Sequence, residues 1–229
     1  MIYVGDIHGK FLTFIELIKN CQNETIIQVG DIGVGFVSDI YDHLDIINLK
    51  RLSDCLVENH CLLYVVRGNH DNPAYWSGGA SDYPNICFVD DYTKLTIEGK
   101  VVLFVGGGIS LDRKSRIPDV SWWKNETIKR IPKNFDCSCD ILVTHVPTPM
   151  YFAKIPSSIV LDYWLTKDEK LAKDLISERK LIEKIYSQSN CKWWVSGHFH
   201  QSDRNYTEQC NFINLDELEI FEIREDDER

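Results

Sequence analysis

Short apolar runs recur along this chain, and five of them break off at a polar cluster. Ile2–Val4, Thr25–Val29, Cys61–Val66, Ile141–Thr144 and Trp193–Ser196 are apolar without alternation, the pattern of strands covered on both faces. Between the first three, apolar residues return at helical spacing: Phe11, Phe14, Ile15 and Ile18, then Leu44, Ile47, Leu52 and Leu56. Strand and helix in alternation predict right-handed crossovers and a parallel sheet. The middle of the chain differs. Ile86-Cys87-Phe88, Tyr92–Ile97 and Lys100–Val105 read as strands of a second, more antiparallel sheet, with Glu98-Gly99 as a hairpin turn. Thr166-Lys167-Asp168-Glu169 has the form of a capping box and predicts a helix through Leu171, Leu175, Ile182 and Ile185. Arg204–Thr207, Phe212–Asn214 and Glu219–Ile223 close the chain as strands. No repeat or linker divides it, so one α/β domain over 1–229 is expected, ending in a charged tail at about 224–229.

Composition narrows the class. At 229 residues and 44% hydrophobic, the chain can bury a sizeable core. No apolar stretch approaches a membrane span, so no membrane partner is expected. The first apolar run is too short for a signal peptide and leads straight into Asp6-Ile7-His8. The eight cysteines form no CxxC pair, and Cys137-Ser138-Cys139 is the one close spacing. Free thiols and a cytoplasmic setting are the expectation, in which the Asn-x-Thr sequons at Asn23, Asn125 and Asn205 carry no meaning. A net charge of -10 argues against binding duplex nucleic acid through a basic face. It does not exclude a small anionic substrate, because a bound cation can dominate the field of a local site.

The polar stops carry the chemistry. Five of the seven histidines lie in Asp6-Ile7-His8, Gly68-Asn69-His70-Asp71, Thr144-His145 and Gly197-His198-Phe199-His200, and Gly30-Asp31 adds a carboxylate. Each cluster sits at the C-terminal end of its apolar run, where open α/β sheets gather ligands. Asp6 and His8, like His198 and His200, are two apart, so an extended backbone points both side chains one way. Imidazole, carboxylate and amide suit a divalent metal, and the lack of thiolate favours Mn, Fe, Ni or Zn over softer ions and, with so much histidine, over Mg. A lone His-x-His is usually structural. Five such clusters in order point to one metal site assembled from distant strand ends, and to a metal-dependent hydrolase.

The series Asp-x-His, Gly-Asp, Gly-Asn-His-Asp, His and Gly-His-x-His, spanning residues 5 to 200, resembles the calcineurin-like metallophosphoesterases. That resemblance implies a four-layer α/β/β/α sandwich of two mixed β-sheets with flanking helices. It implies two divalent cations, manganese foremost, with iron, zinc and nickel as alternatives. One would be held by Asp6, His8, Asp31 and His200, the other by Asp31, Asn69, His145 and His198, with Asp31 bridging. The implied activity is hydrolysis of a phosphate ester by a metal-bridging hydroxide. His70 would donate a proton to the leaving group or stabilise charge, and Asp71 would orient its ring. Arg67, just before the motif, offers a bidentate phosphate contact, with a salt bridge to a surface carboxylate as the competing reading. His43 and His60 match nothing in the series and read as surface or helix-end residues.

Substrate signals are weaker. Gly106-Gly107-Gly108 fits either a close ligand approach or a plain sharp turn. Arg113, Arg116, Trp122 and Trp123, with Pro147, Pro149, Tyr151, Tyr163 and Trp164, offer cations and rings for a nucleotide if their segments flank the metals. The competing reading starts a helix at Trp122 and Trp123 and buries both in the core. Relative to the serine/threonine protein phosphatases of this superfamily, the second motif, Gly30-Asp31-Ile32-Gly33-Val34-Gly35, lacks their Asp-Arg, and the third ends in Asp71 rather than Glu. A small phosphodiesterase or phosphatase acting on nucleotides or related phosphoesters is therefore preferred. A protein phosphatase, a nuclease and, more remotely, a non-catalytic scaffold are the alternatives. Oligomeric state is left open.

Overall fold

The computed structural model describes residues 1–36, 42–76, 83–148 and 158–223. The tail at 224–229, Pro149 and Tyr151 lie outside them. Two sheets form the centre. In the first, β1 (Ile2–Val4), β2 (Thr25–Gln28), β3 (Leu62–Val65) and β4 (Ile86–Phe88) run parallel, and β11 (Ile220–Glu222) pairs antiparallel on β1. In the second, β6 (Lys100–Val105), β7 (Ile141–Thr144), β8 (Trp193–Ser196) and β10 (Asn211–Asn214) are parallel. Its edges, β5 (Thr93–Ile97) and β9 (Asp203–Tyr206), are antiparallel.

Alternation along each buried strand sorts side chains between two cores. Val4 and Ile26 face α1 (Phe11–Ile18) and α2 (Asp42–Glu58), packing on Phe11, Phe14 and Leu52. Their chain neighbours Tyr3 and Ile27 face the other sheet, meeting Phe104, Val143, Trp193 and Val195. The far side of the second sheet, with Leu103, Leu142, Trp194 and Phe212, is covered by Ile182 and Ile185 of α4 (Leu171–Ser189). Helix, sheet, sheet, helix is the four-layer sandwich expected from the resemblance.

Several local expectations are corrected. β4 belongs to the first sheet, parallel to β3, and the second sheet is antiparallel only at its edges. A three-residue apolar run does not encode its partner. On α2 the inner face runs Leu49, Leu52 and Leu56, while Ile47 is exposed; the side chain of Leu44 lies outside the described residues. The capping box does not form, because Thr166 and Lys167 end another helix, α3 (Ser158–Lys167). The Thr166 hydroxyl donates back to Tyr163 O, and Asp168 accepts from the Lys170 N–H instead. The Glu98-Gly99 hairpin does form, with φ of +48° and +80°, the signs a type I′ turn requires.

Candidate metal centre and its surroundings

The carboxyl ends of β1, β2 and β3 in one sheet and of β7 and β8 in the other point to one place, and each delivers part of the predicted set. The loops are tied to one another by backbone hydrogen bonds. Ile7 N and His8 N both donate to Asp31 O, at 2.9 and 2.8 Å, and Gly197 N donates to His145 O at 3.0 Å. Two glycines let backbone press against carboxylates. A Cβ on Gly68 would lie 2.0 Å from Asp31 Oδ1, and one on Gly197 would lie 2.2 Å from Asp6 Oδ1. His8, Asp31, His198 and His200 all have φ between +48° and +74°, a conformation that costs a non-glycine residue about 1–3 kcal/mol when it is held as strain. The fold therefore imposes these orientations; local preference does not.

The donor atoms gather in three groups: Asp6 with His8 and His200, His8 with Asp31 and His70, and Asp31 with His145 and His198, all within 4.8 Å inside each group. His8 Nε2 is 2.8 Å from His200 Nε2 and 3.8 Å from Asp6 Oδ2. On the other side His145 Nε2 is 3.0 Å from Asn69 Oδ1, 3.1 Å from His198 Nδ1 and 3.4 Å from Asp31 Oδ1. Asp31 stands between, its Oδ2 3.9 Å from His8 Nε2. These neighbours are oriented from behind. His145 Nδ1 faces Val29 O at 3.1 Å, and the Asn69 amide donates to Ser110 Oγ at 3.0 Å, leaving its oxygen toward the site. Glu217 lies 3.4 Å from His200 Nδ1.

The field at this point calls for positive charge. Asp6 and Asp31 are buried. Burial disfavours a charged His145, yet Asp31, Asp6 and Asp71 outweigh it and raise that ring to about 9. Burial likewise opposes the Asp31 charge, and His145, His70 and His8 overcome it, holding the carboxyl well below its ordinary value. His198, unlike His145, is lowered, first by burial and then by His145. Two buried carboxylates thus stand among imidazole nitrogens and an amide oxygen, and this donor set fits hard-to-borderline dications.

His70 joins the rim. Its ring stacks on Phe36 with centroids 4.8 Å apart, and its Nε2 accepts from Arg116 Nη2 at 2.8 Å. Burial lowers His70 to about 4, with Arg116 adding to that and Asp31 pulling back. Arg116 also donates to Ser110 Oγ at 2.9 Å and pairs with Asp112 at 2.7 Å. Buried Glu126 accepts from both the N–H and the hydroxyl of Ser110, at 2.9 and 2.7 Å.

Two assigned roles are corrected. Asp71 does not orient the His70 ring. Its oxygens accept the N–H groups of Asp31, Gly33 and Gly68 at 2.7–3.0 Å, locking the loop after β2 to the loop after β3. Arg67 is not a phosphate clamp. It is 1% exposed, pairs with Asp91 at 3.0 Å, and donates to the carbonyls of Asn125, Glu126, Gly106 and Thr127. The competing salt-bridge reading is the correct one, with a buried partner rather than a surface one.

Among the other candidates, Trp123 is buried near Phe36, while Trp122 is partly exposed, and neither lies in a helix. Trp164 and Arg116 line a cavity of about 350 Å³ over the donors. Arg113 is bound by Asp168 and Asp174, Tyr163 is exposed, and Pro147 is buried. His60 is exposed just past α2, as expected for a helix-end residue; the side chain of His43 lies outside the described residues. Ser110, Glu126, Phe36 and Glu217 are not anticipated, and no periodicity or motif in the sequence marks them.

The fold and this donor set define a metal-binding α/β hydrolase. The sequence matches the calcineurin-like phosphoesterases over residues 2–202, and the chain belongs to that family. The family acts on phosphoesters and is dinuclear metal-dependent. Two solved structures are similar in fold. Phosphopantetheinyl hydrolase from Mycobacterium tuberculosis superposes with a TM-score of 0.52 at 12% identity, over 94% of this chain and 89% of that one. The protein TT1561 of Thermus thermophilus gives 0.53 at 12% identity, over 95% and 89%. No curated protein matches the chain in sequence. Among the described residues, no helix is long and apolar enough to cross a membrane.

Proposed function

We propose that this chain is a single-domain, dinuclear metal-dependent phosphoesterase acting on small phosphoesters, nucleotides foremost, in the cytoplasm. One observation carries the reading: Asp31 belongs to two donor groups, with His8 beside one oxygen and His145 beside the other. A carboxylate so placed suits a bridging ligand. Asp6, His8, Asp31 and His200 would hold one cation, and Asp31, Asn69, His145 and His198 the other; manganese stands foremost by the family resemblance, and nitrogen and oxygen donors without thiolate also suit iron, nickel or zinc. When bound, such cations supply Lewis acidity and acidify water near neutral pH.

The remaining work falls to the chain itself. Arg116 and His70 lie side by side on the rim, so a phosphoryl group entering there meets a guanidinium and an imidazole together. The negative charge it brings offsets Arg116 and moves His70 back toward protonation, recruiting the proton that a leaving alkoxide needs. Phe36 holds the ring plane, and Ser110 with Asp112 holds the guanidinium. All eight cysteines are free thiols, which supports a reducing compartment.

The test is reconstitution of metal-free protein with manganese, followed by assays on p-nitrophenyl phosphate and bis-p-nitrophenyl phosphate. Metal-dependent release of nitrophenolate is expected, and the preferred ester separates monoesterase from diesterase. Protein that binds manganese yet hydrolyses neither would sink the reading.

A further inference from the structure

A second, larger cavity of about 1060 Å³ adjoins the one over the donors, and Ile109 and Arg116 line both. Its walls reverse the sign of the molecule. The chain carries a net charge of -10, yet seven of the cavity's lining residues are cationic and three acidic. Two of those acids, Asp168 and Asp174, are occupied by Arg113 at 2.5 and 2.7 Å. Among the described residues, Lys114, Lys124, Arg130, Lys170 and Lys184 form no ion pair. These five are exposed side chains on the wall of one cavity, and like charges that share a concave surface raise the local concentration of anions there.

A buried group also faces this space. Glu178, on α4, is 8% exposed, lines the cavity, and has Oε1 without a hydrogen-bond partner. An unpaired buried oxygen costs about 1–3 kcal/mol unless a ligand or water meets it. Burial, then the nearby Glu126, raise its carboxyl to about 8. The raised value reduces the repelling charge that this acid adds to the cavity wall. The wall is amphipathic as well: Trp122, Ile128, Ile131 and Leu181 provide apolar surface beside the cations, and the volume is that of a small-molecule site.

We propose that this cavity seats a second phosphate, carried on the group esterified to the scissile one, so that the substrates are organic molecules bearing at least two phosphate groups. The proposal rests on the phosphoesterase reading. The scissile phosphate lies over the donors, Arg116 marks the junction, and the rest of the molecule extends into the basic cavity with its remote phosphate among the unpaired cations. A cavity of this size favours a small organic bisphosphate over a polymer strand.

The test uses the full, manganese-loaded chain and two chromogenic diesters that differ by one phosphate: the p-nitrophenyl ester of thymidine 5′-monophosphate, and the same ester with a 3′-phosphate. The expected result is a kcat/KM at least about tenfold higher for the phosphorylated ester, the order of one well-placed charged contact. The double variant Arg130→Glu/Lys170→Glu alters two exposed residues away from the donors. It should abolish the preference while leaving the plain ester within about twofold. Equal kcat/KM for the two esters in the native protein, or a preference that survives the double variant, overturns the proposal. Hydrolysis of neither ester counts against the phosphoesterase reading instead. Calorimetry with thymidine 3′,5′-bisphosphate on the same protein then decides the cavity: binding that the double variant loses supports it, and unchanged or absent binding overturns it. Tighter binding of a single-stranded oligonucleotide than of the bisphosphate overturns the small-molecule assignment.

Discussion

At the ends of β1, β2, β3, β7 and β8, the donors are positioned by backbone bonds between neighbouring loops, such as those from Ile7 and His8 to Asp31 O. Residues 106–131, between β6 and β7, reach the same site by another route. They contain little regular structure and are anchored by buried charged side chains: Arg67 gathers four carbonyls of the segment, and Glu126 holds Ser110 by two bonds. The two arginines make the contrast concrete. Arg67 adjoins the Gly-Asn-His-Asp motif yet serves the loop, whereas Arg116 is remote from every motif yet touches His70. Sequence proximity to a motif does not say what a long side chain reaches.

Perturbing each region separates the two means of support. The largest effect is expected at the donors. Asp31→Asn removes a charge from both donor groups and should lower metal affinity by more than about 100-fold, above the range for partners that only orient ligands; metal analysis after dialysis reads this. His70→Ala should keep the metal and lower turnover by about two to four orders of magnitude. Wild-type turnover in that variant would remove its role.

Loss of the loop anchor should appear as instability. Arg67→Met leaves four carbonyls unmet and takes one of two cations from buried Asp91, which keeps Lys129 at 3.0 Å and the Gly106 N–H at 2.9 Å; with each unmet carbonyl costing about 1–3 kcal/mol, at least about 3 kcal/mol of unfolding free energy should be lost. Denaturant titration measures it. Arg116→Ala should do the reverse, holding stability within about 1 kcal/mol while lowering kcat/KM about tenfold. If Arg67→Met unfolds no more easily than Arg116→Ala, the distinction between anchor and site residue fails.

A further effect concerns pH. The Glu178 carboxyl is raised from 4.5 to about 8 on folding, so the folded chain binds the extra proton. Its contribution is full below the unfolded value and is lost as pH rises from about 4.5 to about 8, at up to about 1.4 kcal/mol per pH unit. Glu178→Gln should flatten the stability curve across that interval, and an unchanged slope would contradict the assignment.

The donors are legible in the sequence because strand ends are. Apolar runs fix where β1, β2, β3, β7 and β8 stop, and a carboxylate, amide or imidazole in the loop that follows each run has few places to go. The helical spacing of Phe11, Phe14 and Ile18 is equally plain. Ser110, Glu126 and Phe36 are not legible, because their positions follow from tertiary hydrogen bonds and ring packing with no period. Asp71 misleads for a related reason: the resemblance implies a contact with the His70 ring, but three backbone N–H groups compete for its carboxylate and win. The placement of β4 and the end of α3 at Lys167 likewise depend on pairing and packing beyond the local pattern.

The central claim is that side chains from both sheets hold a pair of cations around Asp31. Titration of metal-free protein with manganese, followed by calorimetry and elemental analysis, tests it most directly. About two ions per native chain are predicted, with no more than one retained in Asp31→Asn. A native chain that binds none, or an Asp31→Asn chain that binds the full complement at unchanged affinity, contradicts the account.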